Sequence, residues 1–464
     1  MRDSRSIPSQ PAAAQPTREA QAQAEIAATS ISPGGARILV GLLLATLLGG
    51  SCIEGWRAAK GRATAFAGGL EPTGPATPLS GAGTAGILAA NQQLREGLSA
   101  LEDRLARTSG LSMAFRPAAQ RFLSRALSYG NSQVIIGRGG WLYFRSEFDY
   151  LTGPGFLAPL ELARRRASAA ARATGPPARF EPDPVPGLVQ LRNELAELGI
   201  ELVFFPVPVK AEIYPEPLRR RGGLRPTSLA ASQYRFANPS YDDLIRRLAA
   251  AGVRVFDGKS ELQAAAGPMG EAGDSLYLAT DTHWSPAGMR VVSMALARYL
   301  SSAGLLPAVP AAGFRRRSVP LALEGDLSRL LGEVEAQPIF PHERVEIDEI
   351  LDSREVPWSS AAPLEPATDL LLLGDSYSLV YAGESTGHTA GFGEQLAYVL
   401  DRPVQRLANF ADNDLADRVG WLRETPQLLD GKRVLIYEVT ARALASGNWT
   451  GATLQTAPSK ETHP

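Results

Sequence analysis

From about Val185 onward, amphipathic segments with helical spacing alternate with short apolar runs, and this alternation constrains the fold more than any other feature. Apolar runs without polar alternation are typical of strands that are covered on both faces. The pattern predicts an α/β fold, a three-layer sandwich with a mostly parallel sheet between two helical layers. The helical segment and following run are in turn GLVQLRNELAELG and IELVFFPVP, YDDLIRRLAAAG and VRVFD, FGEQLAYVL and PVQRLAN, and DLADRVGWLRETPQLLDG and KRVLIYEV.

A fifth apolar run, LLLLGDSYS, ends in small and polar residues that are typical of a site. In parallel sheets, ligands bind beyond the carboxyl ends of the strands. A glycine before an Asp-Ser pair permits a sharp turn that presents the hydroxyl of Ser376, with its own amide facing the cleft as an oxyanion donor. Asp375 is expected to cap the turn. An ordinary strand-to-loop turn would contain the same residue types.

A serine nucleophile needs an imidazole to accept its proton, and the chain has four histidines. His463 lies in a polar tail, where a base cannot be held in place. His342 is expected to be exposed and structural. His388 is near Ser376 in sequence, but no acid is evidently placed to orient it. His283 is therefore the strongest candidate for the base.

The segment DTHWSPAG places Asp281 two residues before His283. Ser285 and Pro286 follow as the predicted N-cap and first residue of a helix, which would anchor the segment. An aspartate behind the ring would fix the tautomer and stabilise the imidazolium. An Asp-x-His pair bonded to nearby backbone would show the same spacing.

The first 90 residues are polar and low in complexity, apart from the apolar run at 38–53. We predict a disordered tail at 1–36, a transmembrane signal anchor at 37–54, a flexible linker at 55–90, one domain at 91–450 and a disordered tail at 451–464. Cleavage of the apolar run is the alternative. The catalytic domain is expected in the periplasm, tethered to the inner membrane.

Composition excludes several kinds of site and partner. Acidic residues number 48 and basic residues 47, so the balance of charge indicates no nucleic-acid partner. The only cysteine, Cys52, lies in the apolar run, which excludes disulfides, thiolate metal clusters and a cysteine nucleophile from the folded part.

Five stretches in order resemble the alginate O-acetyltransferase family of SGNH-hydrolase-like proteins, the AlgJ and AlgX group. They are VIIGRGGWLYF, PVPVKAEIYPE, DTHW, GDSYS with the later AGF, and TARALASGNW, and they span Val134 to Trp449. The resemblance implies a permuted SGNH-like fold in which Ser376 carries the acyl group, His283 is the general base and Asp281 orients it. The chain ends soon after this unit, so it is more similar to the AlgJ type than to AlgX, which continues into a carbohydrate-binding module.

The resemblance further implies a function, an acceptor and a donor. The expected activity is O-acetylation of an exported, alginate-like polysaccharide, with a multi-pass membrane acyltransferase delivering the acetyl group and with no metal or bound cofactor. Asn409 is a candidate second oxyanion donor, and Lys210 and Tyr381 are candidate sugar contacts; each also has a purely structural interpretation.

Three alternatives remain open from the sequence. The same triad could hydrolyse carbohydrate acetyl esters, because water or a sugar can release an acyl-enzyme. The protein could be a non-catalytic scaffold or polymer-binding subunit of an export complex. Metal-dependent hydrolysis through Asp281, His283 and Asp375 is the third, although this set leaves a metal short of ligands.

Overall fold

The computed structural model describes most of the chain after residue 110. The described residues are 110–172, 179–215, 237–266, 275–332, 339–361, 368–410 and 414–454, with 34, 37–41, 56, 59–60 and 95. The chain divides into two compact units, 1–118 and 119–464, and the sheet and the site lie in the second. Most of the predicted tails, anchor and linker lies outside the described residues. No helix among the described residues is both long and apolar enough to cross a membrane.

From residue 110 onward, the described part of the chain contains nine strands and fourteen α-helices. The strands are β1 (Val134–Ile136), β2 (Leu142–Phe144), β3 (Glu201–Val207), β4 (Arg254–Val255), β5 (Arg315–Leu323), β6 (Glu343–Leu351), β7 (Leu370–Gly374), β8 (Gln405–Ala408) and β9 (Val434–Thr440). The helices are α1 (Gly110–Leu127), α2 (Arg145–Thr152), α3 (Pro159–Arg172), α4 (Pro184–Glu197), α5 (Lys210–Ile213), α6 (Tyr241–Ala250), α7 (Lys259–Ala265), α8 (Pro286–Ser302), α9 (Asp326–Leu330), α10 (Ser376–Leu379), α11 (Gly383–Thr386), α12 (Phe392–Leu400), α13 (Leu415–Glu424) and α14 (Ala443–Ser446).

The main sheet has five strands in the order β4-β3-β9-β7-β8, and every neighbouring pair is parallel. The five apolar runs form these five strands, so the prediction of an α/β fold with a mostly parallel sheet is confirmed. Strands β7 and β9 are buried along their whole length, as expected for strands covered on both faces.

Both faces of the sheet are covered. The connection from β7 through α12 to β8 runs in the opposite direction across the sheet from the connection through α13 to β9, so right-handed crossovers place α12 and α13 on opposite faces. The aromatic packing agrees, since consecutive strand residues point to opposite faces. Phe204 packs against Tyr437 and Trp449, whereas Phe205 packs against Trp284.

Two antiparallel hairpins lie beside the main sheet. In the first, β1 and β2 are joined by a turn in which Gly139 and Gly140 have φ of 65° and 84°, a region that favours glycine. The second hairpin, β5 with β6, was not predicted. Strand β5 begins with three exposed arginines, and β6 carries charged residues among its apolar ones, so neither has the pattern of an apolar run.

Candidate active site

Ser376 is the first residue of α10 and lies two residues after Gly374, the carboxyl end of β7. Asp375 is the N-cap, as expected: its Oδ1 accepts a hydrogen bond of 2.8 Å from the amide of Tyr377. Its Oδ2 accepts one of 2.8 Å from the amide of Thr440 at the end of β9. The turn is thereby tied to the neighbouring strand, and the Ser376 amide takes a position where helical N–H groups have no acceptor within the helix.

Gly374 and Glu438 allow the turn to pack closely on the sheet. A Cβ atom on Gly374 would lie 2.3 Å from Ser378 Oγ and 2.9 Å from Glu438 Oε2. Glu438 is fully buried in β9, and its Oε2 accepts hydrogen bonds from the Asp375 amide at 3.0 Å and from Ser378 Oγ at 2.7 Å. Burial, together with the charge of Asp375, raises the pKa of Glu438 well above its usual range. Glu438 was not predicted from the sequence, although an acid inside the apolar run VLIYEVT is a recognisable signal.

The loop that carries His283 is pinned at both ends. Tyr277 and Trp284 form an antiparallel bridge, and the Leu278 amide donates to the carbonyl of His283. Ser285 then caps α8 by accepting a hydrogen bond from the Gly288 amide, as the sequence predicted. The imidazole therefore projects from a loop that is held from its first residue to the helix that follows.

The structure brings Ser376, His283 and Asp281 into one chain of hydrogen bonds. The distance from His283 Nε2 to Ser376 Oγ is 2.9 Å, and that from His283 Nδ1 to Asp281 Oδ1 is 2.6 Å. Asp281 Oδ1 also accepts from the His283 amide at 2.9 Å. This is the arrangement in which an imidazole can take the serine proton while a carboxylate holds its other nitrogen.

The electrostatics of the pair favour an ionised Asp281. Burial alone would raise the pKa of Asp281, but the neighbouring His283 charge and the hydrogen bonds from His283 and the Asp326 amide lower it below its usual range. Burial acts on His283 in the opposite sense and would lower its pKa. The charge and hydrogen bond of Asp281 outweigh this, so the pKa of His283 is raised.

Asp326 supports the loop that carries His283, here called the base loop, and was not predicted from the sequence. Its amide donates to Asp281 Oδ2 at 2.9 Å, and its carboxylate accepts from the amide and the hydroxyl of Thr282 at 2.8 and 2.6 Å. Burial and the Asp281 charge raise the pKa of Asp326. Asp326 lies 45 residues after Asp281 in no recognisable motif, so only the tertiary structure shows the contact.

The metal-binding set considered from the sequence does not form. Both oxygens of Asp375 accept backbone amides, as described above. Among the described residues, the group that could hold a metal is Asp281, His283 and Asp326, whose ligand atoms lie within 4.8 Å of one another. Each of the three is already engaged in the hydrogen bonds described above.

Lys210 and Tyr381 do not fit the prediction that they contact a sugar. Both side chains are fully buried. Lys210 Nζ donates to the carbonyls of Leu278, Ala279 and Asp281 at 2.8, 3.1 and 2.7 Å, so all three of its hydrogens are used. The hydroxyl of Tyr381 donates to the carbonyl of Trp284 at 3.0 Å. Their structural interpretation is the correct one, and both hold the base loop from behind.

Asn409 follows β8 at the level of Asp375, because the register pairs Gly374 with Ala408. Its role as second oxyanion donor stays a prediction.

His388 has an acid partner that the sequence did not reveal: its Nδ1 lies 2.7 Å from Glu349 Oε1 on β6.

A cleft of about 620 Å³ opens at the carboxyl edge of the sheet and is lined by all three of Ser376, His283 and Asp281. The β5 end of the second hairpin contributes apolar residues to one wall. The other residues that line the cleft include Phe144, Glu324, Asp326, Arg329, Phe410 and Arg442.

Comparison with known proteins shows the family. A family model described as the SGNH hydrolase-like domain of acetyltransferase AlgX matches residues 134–440. The probable alginate O-acetylase AlgJ of Pseudomonas putida is 29% identical over 204 residues, which is 44% of this chain and 43% of that protein. The probable alginate O-acetylase AlgJ of Pseudomonas aeruginosa is 26% identical over 328 residues, which is 68% of this chain and 71% of that protein.

A solved structure of the O-acetyltransferase domain of Pseudomonas putida AlgJ is 21% identical, with a TM-score of 0.47, and the match covers 70% of this chain and 96% of that domain. This chain thus spans less than half the length of the first of the curated relatives and about seven-tenths of another. Because the family model covers well over half of the chain, the protein belongs to the family of SGNH hydrolase-like domains typified by the acetyltransferase AlgX.

Proposed function

We propose that this protein is a membrane-anchored, extracytoplasmic O-acetyltransferase that acetylates hydroxyl groups of an exported, alginate-like polysaccharide. The observation that carries the proposal is the continuous hydrogen-bonded chain from Ser376 Oγ through His283 to Asp281, open to a cleft. Membership of an acetyltransferase family and relatives named as probable alginate O-acetylases support the reaction class and the kind of acceptor.

The first half-reaction loads the serine. Ser376 Oγ attacks the acetyl carbonyl of the donor while His283 Nε2 takes the hydroxyl proton. Asp281 stabilises the imidazolium that forms, and the Ser376 amide donates to the developing oxyanion. The tetrahedral intermediate collapses as His283 returns the proton to the departing donor group, which leaves an acetyl ester on Ser376.

The second half-reaction transfers the acetyl group from Ser376 to the acceptor. His283 removes a proton from a sugar hydroxyl, whose oxygen attacks the acetyl ester of Ser376. Collapse releases the O-acetylated sugar, and the proton returns from His283 to Ser376 Oγ. A multi-pass membrane acyltransferase is the proposed donor, and the segment at 37–54 is the proposed anchor of this domain to the inner membrane, with the catalytic domain in the periplasm.

The test uses the full-length protein, a chromogenic acetyl ester as donor and oligosaccharide acceptors. We expect acetylated oligosaccharide, and an acetyl group on Ser376 when the reaction is quenched early. Ser376→Ala should remove both, and Ser385→Ala, which removes an exposed serine of the same cleft, serves as a control for nonspecific acetylation.

Two other outcomes have definite meanings. Acetate release that is unaffected by any acceptor would favour the esterase alternative. Ser376→Ala protein that supports normal polymer acetylation in cells, with no labelling of the native protein by an active-serine probe, would favour the scaffold alternative and contradict the proposal.

A further inference from the structure

Arg442 lines the cleft that contains the candidate nucleophile but is not part of the triad. It follows β9, which pairs with β7, and the Thr440 amide two residues earlier is bonded to Asp375, the neighbour of Ser376. Arg442 lines the same cleft as Ser376 and His283, and its side chain is 18% exposed. It is therefore a cationic group within the cleft.

The Nη1 nitrogen of the guanidinium is held by two hydrogen bonds within the protein. Arg442 Nη1 donates to Glu147 Oε1 at 3.3 Å and to Thr440 Oγ1 at 3.0 Å, which accounts for both of its hydrogens. The guanidinium carbon also lies 5.4 Å from the centre of the Phe144 ring, within cation–π range. These contacts fix the orientation of the planar group.

The opposite edge of the guanidinium, formed by Nε and Nη2, has no hydrogen-bond acceptor within the part of the chain that the structure describes. Two parallel N–H groups on one edge of an arginine match the two oxygens of a carboxylate. An anchored Nη1 lowers the entropic cost of using this edge, because the side chain is already ordered.

The charge of Arg442 is only partly balanced. Glu147 is the one carboxylate bonded to it among the described residues; it is 1% exposed, and its Oε2 has no partner there. Burial raises the pKa of Glu147 to about 7 against the opposing effect of Arg442. Asp375 and Asp326 also act on the charge of Arg442, but their carboxylates already accept backbone N–H hydrogen bonds.

We propose that the Nε–Nη2 edge of Arg442 binds the carboxylate of an acidic sugar residue in the acceptor and so selects acidic polysaccharides. Glu147 is the positioning residue that holds the guanidinium for this contact. Arg442 also lines a second cavity of about 340 Å³. The inference rests on the proposed function, because it assigns the acceptor of the same cleft.

The experiment compares two matched acceptors, an oligouronate and the same oligosaccharide with its carboxyl groups reduced to alcohols. The quantity measured is the ratio of kcat/KM for transfer to the acidic and to the neutral acceptor. Loss of a charge-assisted contact should lower this ratio on the order of 10- to 100-fold in Arg442→Gln. Arg442→Lys, which keeps the charge but lacks the fork, should give an intermediate ratio.

Folding is controlled with a double variant. Arg442→Gln alone leaves Glu147 buried opposite a neutral group, so Arg442→Gln with Glu147→Gln restores the balance and should show the same low ratio. An unchanged ratio in folded protein would overturn the inference. So would an equal loss of transfer to both acceptors and of ester hydrolysis, which would assign Arg442 to the oxyanion of the intermediate.

A binding measurement separates this inference from the proposed function. Calorimetric titration of the oligouronate into Ser376→Ala protein needs no catalysis, and adding Arg442→Gln should weaken its affinity by a similar factor. Binding that depends on Arg442, together with native protein that transfers no acetyl groups, would support the site while contradicting the transferase. Transfer that occurs with no dependence on Arg442 or on the carboxylate would do the reverse.

Discussion

The proton affinity of His283 is the residue-scale property on which the proposed chemistry depends. Its pKa is raised because Asp281, held ionised by three N–H donors, lies against Nδ1. The base works only when Nε2 is unprotonated. Acylation should therefore be lost as the pH falls through this raised pKa and should reach a plateau above it.

Replacing Asp281 with Asn tests this electrostatic arrangement. Without the negative charge the pKa of His283 falls, so the acid limb of kcat/KM should move to lower pH. The plateau should drop on the order of 10²- to 10⁴-fold, because the tautomer and the imidazolium lose their support. The rate of acylation by a chromogenic ester, measured from pH 4 to 9, gives both quantities.

The control is Glu349→Gln, which removes the acid beside His388. It should leave the acid limb in place. An Asp281→Asn profile with the midpoint of the native protein would show that His283 is not the group titrating in the rate.

The turn between β7 and α10 is the element on which the nucleophile depends. Its position is set by the caps of Asp375, by the Glu438 hydrogen bonds and by the space above Gly374. Close packing of this kind tolerates little added volume, because buried neighbours cannot move away without breaking hydrogen bonds.

Gly374→Ala should therefore displace the turn. Its methyl group would overlap Ser378 Oγ, so we expect a loss of about 1–3 kcal/mol of unfolding free energy and at least a tenfold loss of acylation rate. Chemical denaturation and ester turnover measure the two effects.

Gly420→Ala is the matched control, since a Cβ at this position in α13 meets nothing within 4 Å. It should raise stability by about 0.5–1 kcal/mol and leave the rate alone. Equal behaviour of the two variants would contradict the packing argument.

At the scale of the whole molecule, buried acids make stability depend on pH. Burial raises the pKa of Glu147 and of Glu212 to about 7 in the folded protein, from an unfolded value near 4.5. A group whose folded pKa is raised contributes stability that is present below its unfolded pKa and lost as the pH rises through its folded pKa. The raised pKa of His283 acts in the same direction.

We therefore expect the folded domain to be more stable near pH 5.5 than near pH 8, by an amount on the order of a few kcal/mol. Calorimetric Tm values across this range measure the difference, and Glu147→Gln with Glu212→Gln should reduce it. Activity should change in the opposite direction over the same range. A Tm that rises with pH would show that these carboxyl groups are ionised in the folded protein.

Local pattern was sufficient for some of these features and not for others. The apolar runs predicted all five strands of the main sheet, and burial on both faces explains the continuous apolar signal of β7 and β9. The helix caps formed by Ser285 and Asp375 were predicted from the type and position of one residue each. The β5–β6 hairpin escaped because its exposed face carries arginines and acids, which hide its strand character.

The sequence by itself determined the α/β architecture, the family and the residues proposed for the triad, because each depends on short motifs and on burial periodicity. Only the tertiary structure decided what surrounds them. Lys210 and Tyr381 belong to the interior, and Asp326, Glu438 and the Glu147–Arg442 pair reach the site from distant segments. These contacts join residues tens to hundreds of positions apart, and no local pattern records which side chains the fold will bring together.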